Sequence, residues 1–511
     1  MGKRIEWKRI AALLVSVVIL SAVLAGCSAK GSKTEHITSL EQLTDQNIGV
    51  VTAMFYEQSL LKTNPDVKIQ YYSTATDLVL ALEQGRIDGC LIEDVAYQMF
   101  KREFPWLRLL DGVVETTWVG VAVSDSEPVL REQVNDFVAE NAGNGLFGQM
   151  RQYWVENFDE GCRVDKSGIT GENGKISVGI ESTYMPYSYI ADGELQGLDV
   201  DLLYRFCRAY GYEPELYAVN CDAIPMGVDT GKFDLGMNVF LSEERGEHMS
   251  ISEPYEHSDV FVAVAGDKED SESFFGSLWE KMNSTFAKED RWKLFVEGTG
   301  ITLLIALLAA VFGTLLGFAL YLADRSGNRM WLKVNGVIGW VIGNIPSVLL
   351  LMILYYVVFV GGISIGGIGV AIIGFTILFG YTVQGLIETS VLAVGKGQFE
   401  AASALGYTPN RTFFDIILPQ ASGIAFPQMK KEVTSLIKET SIVGYIAVSD
   451  LTRVGDVVRG LTLESFFPLI TTTVIYFLII WVIVSLVEKI EFFVTDRERR
   501  IKMIRKGIRT K

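Results

Sequence analysis

The stretch EAASALGYTPNRTFFDIILP, residues 400–419, lies in a part of the chain that is otherwise strongly apolar, yet it is too polar to cross a membrane. Its first residues favour a helix, and Gly406 follows them where a C-terminal cap belongs. Thr408 and Pro409 then restart a helix as N-cap and first helical residue, and we expect this second helix to end towards Pro419. The pattern predicts two short helices that meet at a bend on one membrane face.

This stretch resembles the cytoplasmic coupling loop of ABC importer permeases, whose motif is EAA, three residues, Gly, nine residues, Ile, one residue and Leu-Pro, a spacing that this chain reproduces. The motif positions are Glu400, Ala401, Ala402, Gly406, Ile416, Leu418 and Pro419. The resemblance implies that the glutamate makes a charged contact with a separate cytoplasmic ATPase. The alternative is an ordinary amphipathic loop helix between two membrane spans.

Length and composition indicate a membrane protein with an acidic front half. A chain of 511 residues is long enough for more than one domain. Its hydrophobic content of 49% and mean hydropathy of +0.28 are high for a soluble protein, and the apolar runs are concentrated after residue 297. The formal net charge of −16 therefore belongs mainly to the front half, which argues against a nucleic-acid partner.

Residues 1–27 have a basic start, an apolar centre and a small-residue end, which is typical of a secretory signal. The ending LAGC resembles a bacterial lipobox and implies lipidation of Cys27; the alternative is an uncleaved anchor helix. Both interpretations place the following 270 residues outside the cytoplasm. The remaining cysteines, Cys90, Cys162, Cys207 and Cys221, show no metal-binding spacing. A Cys207–Cys221 disulfide and buried free thiols are both open.

Residues 35–266 alternate between predicted strands and helices, which indicates α/β domains with largely parallel sheets. Residues 175–266, with ISVGIESTYMPYSY and GELQGLDVDLLYRFC, resemble the first lobe of the substrate-binding proteins of polar amino-acid uptake. Residues 35–165, with ALEQGRIDGCLIEDVAY, resemble the second lobe, which normally follows the first. The resemblance implies one circularly permuted two-lobe clamp of the periplasmic-binding-protein-like type II fold. The alternative is two separate half-like domains.

The resemblance also implies a ligand site. Glu181 and Tyr184 stand where the family places an acid and an aromatic ring against the ligand's amine and side chain. Arg245 stands where an arginine grips the carboxylate, because a planar guanidinium pairs with it bidentately. Glu93 aligns with an acid of the other lobe that pairs with the ammonium. The alternative for these charged residues is solvated surface charge or a surface salt bridge.

Several positions depart from the family pattern. Asn238 and Phe240 stand where the family places Ser or Thr hydroxyls beside the arginine, and Phe55 lies in an Ala-Met-Phe stretch that replaces Gly-Thr-Thr. Met54 and Phe55 either line a more apolar pocket or pack in it. The resemblance therefore implies an amino acid as ligand and leaves open which one.

Residues 267–293 are predicted to be a linker, residues 294–495 a permease domain, and residues 496–511 a basic cytoplasmic tail. The permease domain is predicted to be an all-α membrane domain with five transmembrane helices, of the MetI-like permease type. The spans are 299–323, 337–360, 367–391, 426–448 and 467–486. Lys438 and Glu439 in the fourth span are expected to face the bundle interior, in a transport role or paired with one another. This topology places the clamp outside and the coupling motif inside.

The sequence contains no G-x-x-x-x-G-K-[ST] phosphate loop, no metal-ligand cluster and no catalytic constellation. The resemblance implies that the chain binds no cofactor and that a partner, a cytoplasmic ABC ATPase dimer, uses ATP, with a second permease copy completing a homodimer. We therefore predict the substrate-binding and permease subunit of an ABC importer that takes up an amino acid across the bacterial plasma membrane. The alternative is a ligand-gated channel or sensory receptor, but the sequence shows neither a re-entrant pore segment nor a cytoplasmic output domain.

Overall fold

The structure is a computed structural model that describes residues 37–52, 54, 56–158, 161–191, 193–221, 223–241, 249–266, 274–358, 365–464 and 466–508. Three of the predicted site residues, Cys27, Phe55 and Arg245, lie outside the described residues. The lipidation of Cys27, the role of Phe55 in the pocket and the carboxylate contact of Arg245 therefore stay predictions.

The chain divides into two compact units. The small unit contains Met1–Glu115 and Asp259–Glu269, and the large unit contains Thr116–Ser258 and Asp270–Lys511. Residues 116–165, which the sequence pattern groups with the second-lobe-like part, lie in the large unit, and the predicted domain boundaries stay predictions. We call residues 116–258 the large-unit lobe and residues 292–508 the membrane domain.

The strands and helices are numbered in chain order. The strands are β1 (Asn47–Val51), β2 (Lys68–Tyr72), β3 (Gly89–Glu93), β4 (Leu107–Leu109), β5 (Glu115–Val123), β6 (Lys175–Ile180), β7 (Thr183–Tyr184), β8 (Ser188–Ala191), β9 (Glu194–Gln196), β10 (Glu213–Ala218), β11 (Leu235–Phe240), β12 (Ser250–Ile251) and β13 (Glu256–Ala265). The α-helices before the membrane domain are α1 (Glu57–Thr63), α2 (Ala75–Glu83), α3 (Asp94–Glu103), α4 (Pro128–Asn144), α5 (Leu146–Arg151), α6 (Leu198–Tyr210), α7 (Ala223–Asp229) and α8 (Phe274–Phe286). Those of the membrane domain are α9 (Trp292–Arg325), α10 (Arg329–Asn344), α11 (Ser347–Ile353), α12 (Gly367–Ala393), α13 (Lys396–Ala404), α14 (Pro409–Arg411), α15 (Leu418–Glu439), α16 (Leu451–Thr462) and α17 (Phe466–Ile508).

The small unit is built on a sheet in which β2, β1 and β3 run parallel. The next strand is β13, which pairs antiparallel with β3 and with β4. All residues of β3 are buried, as are Ile48 and Val50 of β1. Such continuous burial is typical of parallel strands that helices cover on both faces.

The large-unit lobe repeats this order, with β10, β6 and β11 parallel and β5 antiparallel to β11. The antiparallel strand of each sheet comes from the other half of the sequence: β5 precedes residue 166, and the paired part of β13 follows residue 259. Two independent half-like domains would not exchange strands in this way. The two-lobe clamp predicted from the sequence is therefore confirmed.

Among the described residues, three helices are long and apolar enough to cross a membrane: Trp292–Arg325, Gly367–Ala393 and Phe466–Lys489. Arg329–Asn344 and Ser347–Val357 form a pair bent by 110°, which brings the number to four if the pair is one span. The helical membrane domain is thereby confirmed, whereas the count of five spans stays a prediction. The predicted fourth span corresponds mainly to α15, whose lysines and glutamates keep it outside that group.

The helices α9 and α12 form the centre of the membrane domain. A Cβ added at Gly317 of α9 would collide with the backbone oxygen of Gly380 of α12, so the two backbones approach as closely as small residues permit. Buried Ala309 and Phe379 pack in the same core. This packing sets the frame from which the functional segments project.

Candidate functional site

The coupling motif forms a bent, exposed knob, which we define as residues 396–419. The helix α13 carries Glu400 and Ala401 on its exposed side, whereas Ala402 is buried. Gly406 has a φ of +78°, a left-handed conformation that glycine adopts without steric cost. Thr408 then accepts the backbone N–H of Arg411 at 3.5 Å as N-cap. The local conformation matches the helix–bend–helix pattern expected from the sequence.

The expectation that the second helix ends towards Pro419 is wrong. The chain stays helical from Pro409 through a π-helical segment, Thr412–Ile417, into α15. Pro419 is the second residue of α15 and comes directly after the π-helical segment. The knob is therefore continuous with the long helix Leu418–Glu439.

The knob is anchored on the ends of two membrane helices. The ring of Phe413 is buried and stacks on Tyr321 of α9 with 5.7 Å between the centroids. The guanidinium of Arg325 lies 4.4 Å from the same ring, and it donates to the carbonyl of Pro409 at 2.5 Å. Ile417 is fully buried in this cluster, whereas the motif residue Ile416 is half-buried beside it. These contacts fix the knob to the end of α9.

The outer surface of the knob is apolar around one carboxylate. The exposed apolar side chains are Phe399, Leu405, Tyr407 and Phe414, and Leu405 is 76% exposed. Glu400 makes no hydrogen bond or ion pair within the part of the chain that the structure describes. An exposed apolar patch around a charged group is typical of a protein interaction site.

Glu181 lies just after β6, at the carboxyl end of a parallel strand, where ligands bind in such sheets. Its Oε1 accepts the N–H groups of Ser182 and Thr183 at 3.1 and 3.2 Å, and the Thr183 hydroxyl at 2.6 Å. Tyr184 follows in β7, and its ring stacks on Tyr187 with 5.2 Å between centroids. The predicted acid and aromatic ring are therefore close together along the chain and held by the same turn.

Asn238, a predicted ligand residue, has a left-handed φ of +56° and donates from Nδ2 to Asp199 at 2.9 Å. The Tyr255 hydroxyl donates to the other oxygen of Asp199 at 2.7 Å. Burial raises the pKa of Asp199 to about 6, an increase that the two donated bonds oppose. Phe240 is half-buried and pairs with Val119 of β5. Asp199 was not predicted, and the Asn238 amide is committed to it.

Glu93 lies in the small unit at the carboxyl end of β3 and is 3% exposed. Its Oε1 accepts a hydrogen bond from the Tyr56 hydroxyl. Its backbone is extended and caps the N-terminus of α3. The position after a buried parallel strand is the one expected of a ligand-site acid.

Sequence analysis missed Arg453, on α16 of the membrane domain. Its side chain is 7% exposed, and its Nη2 lies 3.3 Å from the Oε1 of Glu181. The same nitrogen donates to the Ser182 hydroxyl at 3.0 Å and to the Val219 carbonyl at 3.1 Å, and Nη1 donates to Asn220. We call this set of bonds the outer contact. No local sequence signal predicts it.

Apolar and aromatic groups surround the outer contact. Phe233 of the large-unit lobe meets Tyr356 of the membrane domain edge-on at 6.5 Å between centroids. The Nζ of Lys232 lies 4.3 Å above the ring of Tyr355. A Cβ added at Gly460 of α16 would lie 3.2 Å from the Cβ of Thr183. The lobe and the membrane domain therefore share one packed interface.

The helices α12 and α15 form a groove of about 330 Å³ in the membrane domain. It is lined by Thr382, Gly385, Leu386, Thr389, Ser390, Ala393, Ile424, Gln428 and Glu432. Polar side chains in a membrane domain face protein or water rather than lipid. This face is therefore suited to a translocation path or to a second copy of the chain.

The four described cysteines have free thiols. Burial raises the pKa of the Cys90 and Cys207 thiols to about 12, so both stay protonated and unreactive at neutral pH. The described residues contain no group of His, Cys, Asp and Glu side chains that could hold a metal ion.

Comparison with known proteins connects both parts of the chain to solute uptake. The model of the bacterial extracellular solute-binding proteins, family 3, matches residues 176–441. The putative glutamine transport system permease protein GlnP of Rickettsia conorii is 32% identical over 196 residues, covering 38% of this chain and 89% of the relative. The L-cystine transport system permease protein TcyB of Bacillus subtilis is 28% identical over 212 residues, covering 42% and 88%. A solved structure described as an amino acid ABC transporter with histidines is 27% identical, covers 43% of this chain and 98% of its own, and has a TM-score of 0.38.

Proposed function

Because this chain belongs to the bacterial extracellular solute-binding proteins of family 3 and fuses that clamp to the permease of an amino-acid ABC importer, we propose that it captures an amino acid and passes it through its own membrane domain. The observation that carries this proposal is the outer contact, in which a buried arginine of the membrane domain pairs with a carboxylate of the clamp at 3.3 Å. The relatives are transport permeases, and they give no support to a channel or receptor function.

The partner that drives transport is a separate cytoplasmic ATPase dimer docking on the knob. Glu400, Leu405 and Phe414 present a carboxylate among exposed apolar side chains there. Anchoring through Phe413 and Arg325 connects this surface to α9. The ATPase binds the ATP, and this chain binds no cofactor of its own.

The second partner is another copy of this chain. The groove between α12 and α15 carries Thr382, Gln428 and Glu432 on exposed or half-exposed helix faces that lipid would not solvate. A second membrane domain opposed to this groove completes a polar path between the two copies. The clamp then lies outside the plasma membrane, and the knob and basic tail lie in the cytoplasm.

The substrate is an amino acid whose amine contacts Glu181 and whose carboxylate contacts Arg245. The carriers named for glutamine and for L-cystine among the relatives indicate the range of side chains to test. Glu181 follows β6 and Glu93 is the last residue of β3, so each acid lies at the carboxyl end of a parallel strand, which supports a role as site acid for each.

The test is a thermal-shift screen of the full chain in lipid nanodiscs against the common amino acids and L-cystine. A ligand that binds the folded state raises the melting temperature by mass action. We expect one amino acid to give a shift that Arg245→Ala abolishes, because the charged, bidentate carboxylate contact is lost. Arg131→Ala, an exposed arginine of the large-unit lobe that bonds Ser250, is the matched control and keeps the shift. A folded protein that responds to none of these compounds would refute amino-acid binding.

A further inference from the structure

Two positive groups compete for the Glu181 carboxylate: the ammonium of the proposed ligand and the guanidinium of Arg453. We propose that Arg453 displaces the ligand: when the large-unit lobe docks on the membrane domain, the guanidinium takes the carboxylate that holds the amine and thereby releases the amino acid to the permease. The proposal rests on the function proposed above, because it needs an amine-bearing ligand at Glu181.

The occupancy of Glu181 carries the first step. One oxygen, Oε1, receives the N–H of Ser182, the N–H and hydroxyl of Thr183, and Nη2 of Arg453, at distances between 2.6 and 3.3 Å. Three of these donors belong to the turn that follows Glu181 and already fill Oε1, so an ammonium would use Oε2 of the same carboxylate. Arg453 is the one donor that comes from the membrane domain, and it brings a positive charge within 3.3 Å of Oε1. That guanidinium repels a positive amine placed beside it, so the docked state weakens the amine contact.

The direction of the Arg453 side chain carries the second step. Every hydrogen bond that its guanidinium makes within the described chain goes to the large-unit lobe, at Glu181, Ser182, Val219 and Asn220. Its Nε is buried and makes none. An arginine used only to stabilise its own helix would bond to that helix or its neighbours. Arg453 instead belongs to the membrane domain and donates its hydrogen bonds to the large-unit lobe.

The mounting of Arg453 carries the third step. Its own N–H is capped by Asp450 Oδ1 at 3.0 Å, and Asp450 Oδ2 accepts the Tyr476 hydroxyl of α17 at 3.1 Å. The N–H of Leu451 donates to the Thr302 hydroxyl of α9 at 3.1 Å. The start of α16 is therefore tied to two membrane helices, and a shift of either helix moves the guanidinium relative to Glu181. Ligand release is coupled in this way to the conformation of the permease.

The experiment locks the docked state. Thr183→Cys and Gly460→Cys are introduced together in the full chain with Cys221→Ser, because the other described thiols are buried. The separation at this pair suits a disulfide after a shift of a few tenths of an ångström. Binding of radiolabelled common amino acids and L-cystine is measured in nanodiscs, reduced and oxidised, with and without Arg453→Gln. The affinity of each oxidised protein is compared with that of the same protein in its reduced form, so any effect of losing the Thr183 hydroxyl is the same on both sides of the comparison.

We expect oxidation to weaken binding by at least about tenfold when Arg453 is present and by less than about twofold in Arg453→Gln. Arg459→Gln, on the same helix and paired with Asp456 at 2.9 Å, is the matched control and keeps the oxidation effect. In the chain without added cysteines, Arg453→Gln retains ligand and lowers ATP-dependent uptake.

The outcomes separate the two proposals. Equal affinity of the oxidised and reduced proteins, or equally weak binding of the oxidised protein with and without Arg453, overturns displacement by Arg453 and leaves amino-acid uptake standing. Absence of binding by the reduced protein and by the unmodified chain to every probe overturns the proposed function itself. Tighter binding with unchanged uptake in Arg453→Gln also contradicts a role in release.

Discussion

The outer contact and the coupling knob both involve the membrane domain, but their charged residues differ in burial and in bonding. Arg453 is buried and every guanidinium bond it makes in the described chain goes to the large-unit lobe. Glu400 is exposed and, among the described residues, has no bonding partner. The difference supports the proposed function: Arg453 contacts a lobe of its own chain, whereas the exposed Glu400 is available to the separate ATPase that we propose as partner.

The physical reason for this difference is the tether. A linked domain is present at high effective concentration, so an interface can form within the chain even though it buries an arginine. A separate protein must find an exposed surface each time it binds, and exposed Leu405, Tyr407 and Phe414 provide apolar anchors for it. Three changes to the chain test this comparison, from the largest expected effect to the smallest.

Reversing the charge at the inner end has the largest expected effect. If Glu400 pairs with a basic group of the proposed ATPase, Glu400→Lys replaces this attraction by repulsion, which costs several kcal/mol and lowers uptake by at least about a hundredfold. Amino-acid affinity stays unchanged, because the substitution does not alter the large-unit lobe. Uptake into proteoliposomes with the ATPase subunit and ligand binding are measured side by side.

The control for this charge reversal is Asp415→Lys, an exposed carboxylate of the knob outside the motif. It is expected to keep most of the uptake. If Glu400→Lys transports normally, or if Asp415→Lys is equally damaging, the charged contact does not reside at Glu400 and the comparison fails at its inner end.

The stability of the large-unit lobe is expected to depend on pH because the lobe contains the buried acid Asp199. The pKa of Asp199 is near 3.8 in the unfolded chain and about 6 in the folded one, so between these values the folded state binds more protons and stability falls as pH rises. The effect amounts to at most about 3 kcal/mol. Asp199→Asn removes it, and the variant's melting temperature therefore rises relative to wild type between pH 4 and pH 7.

Exposed Asp229, at the end of α7, provides the matching control. Asp229→Asn also removes one carboxylate charge, but it leaves Asp199 and its hydrogen-bond partners unchanged. Melting curves of both variants are recorded across the same pH range. A constant offset between Asp199→Asn and wild type would show that burial does not govern this carboxyl.

The smallest expected effect concerns the bend of the knob. Gly406→Ala puts a Cβ on a backbone with φ of +78°, which costs about 1–2 kcal/mol and weakens uptake. Gly397 is the second residue of α13, and Gly397→Ala is expected to stabilise this helix by up to about 0.5 kcal/mol, less than a substitution in a helix centre. No heavy atom lies within 4 Å of either added Cβ, so steric contact does not complicate the pair. Melting temperatures that move in the same direction would contradict the conformational explanation.

Local patterns predicted the knob well because its bend depends on neighbours in sequence. Gly406 adopts the left-handed conformation, and Thr408 caps the next helix, as the sequence indicates. The prediction at Pro419 was wrong because a π-helical segment, invisible in composition, carries the helix past that residue. Which isoleucine is buried, Ile417 rather than Ile416, was also decided by that segment.

The clamp was predicted in outline and not in its connections. Alternating elements indicated the α/β lobes, and Glu181 and Glu93 lie at the carboxyl ends of β6 and β3. Asp199 was missed because its importance arises from burial beneath Asn238 and Tyr255, which are distant along the chain. The pairing of β5 with β11 and of β13 with β3 joins strands that are distant along the chain, and it likewise has no local signature.

The sequence by itself determined the family, the two-lobe clamp, the apolar helices and the coupling motif, because each depends on residue type at short, regular spacing. Only the tertiary structure decided that Arg453 meets Glu181, since 272 residues separate them along the chain. Such a pairing depends on how two folded domains present single side chains to one another. Periodicity and motif spacing carry no information about that geometry.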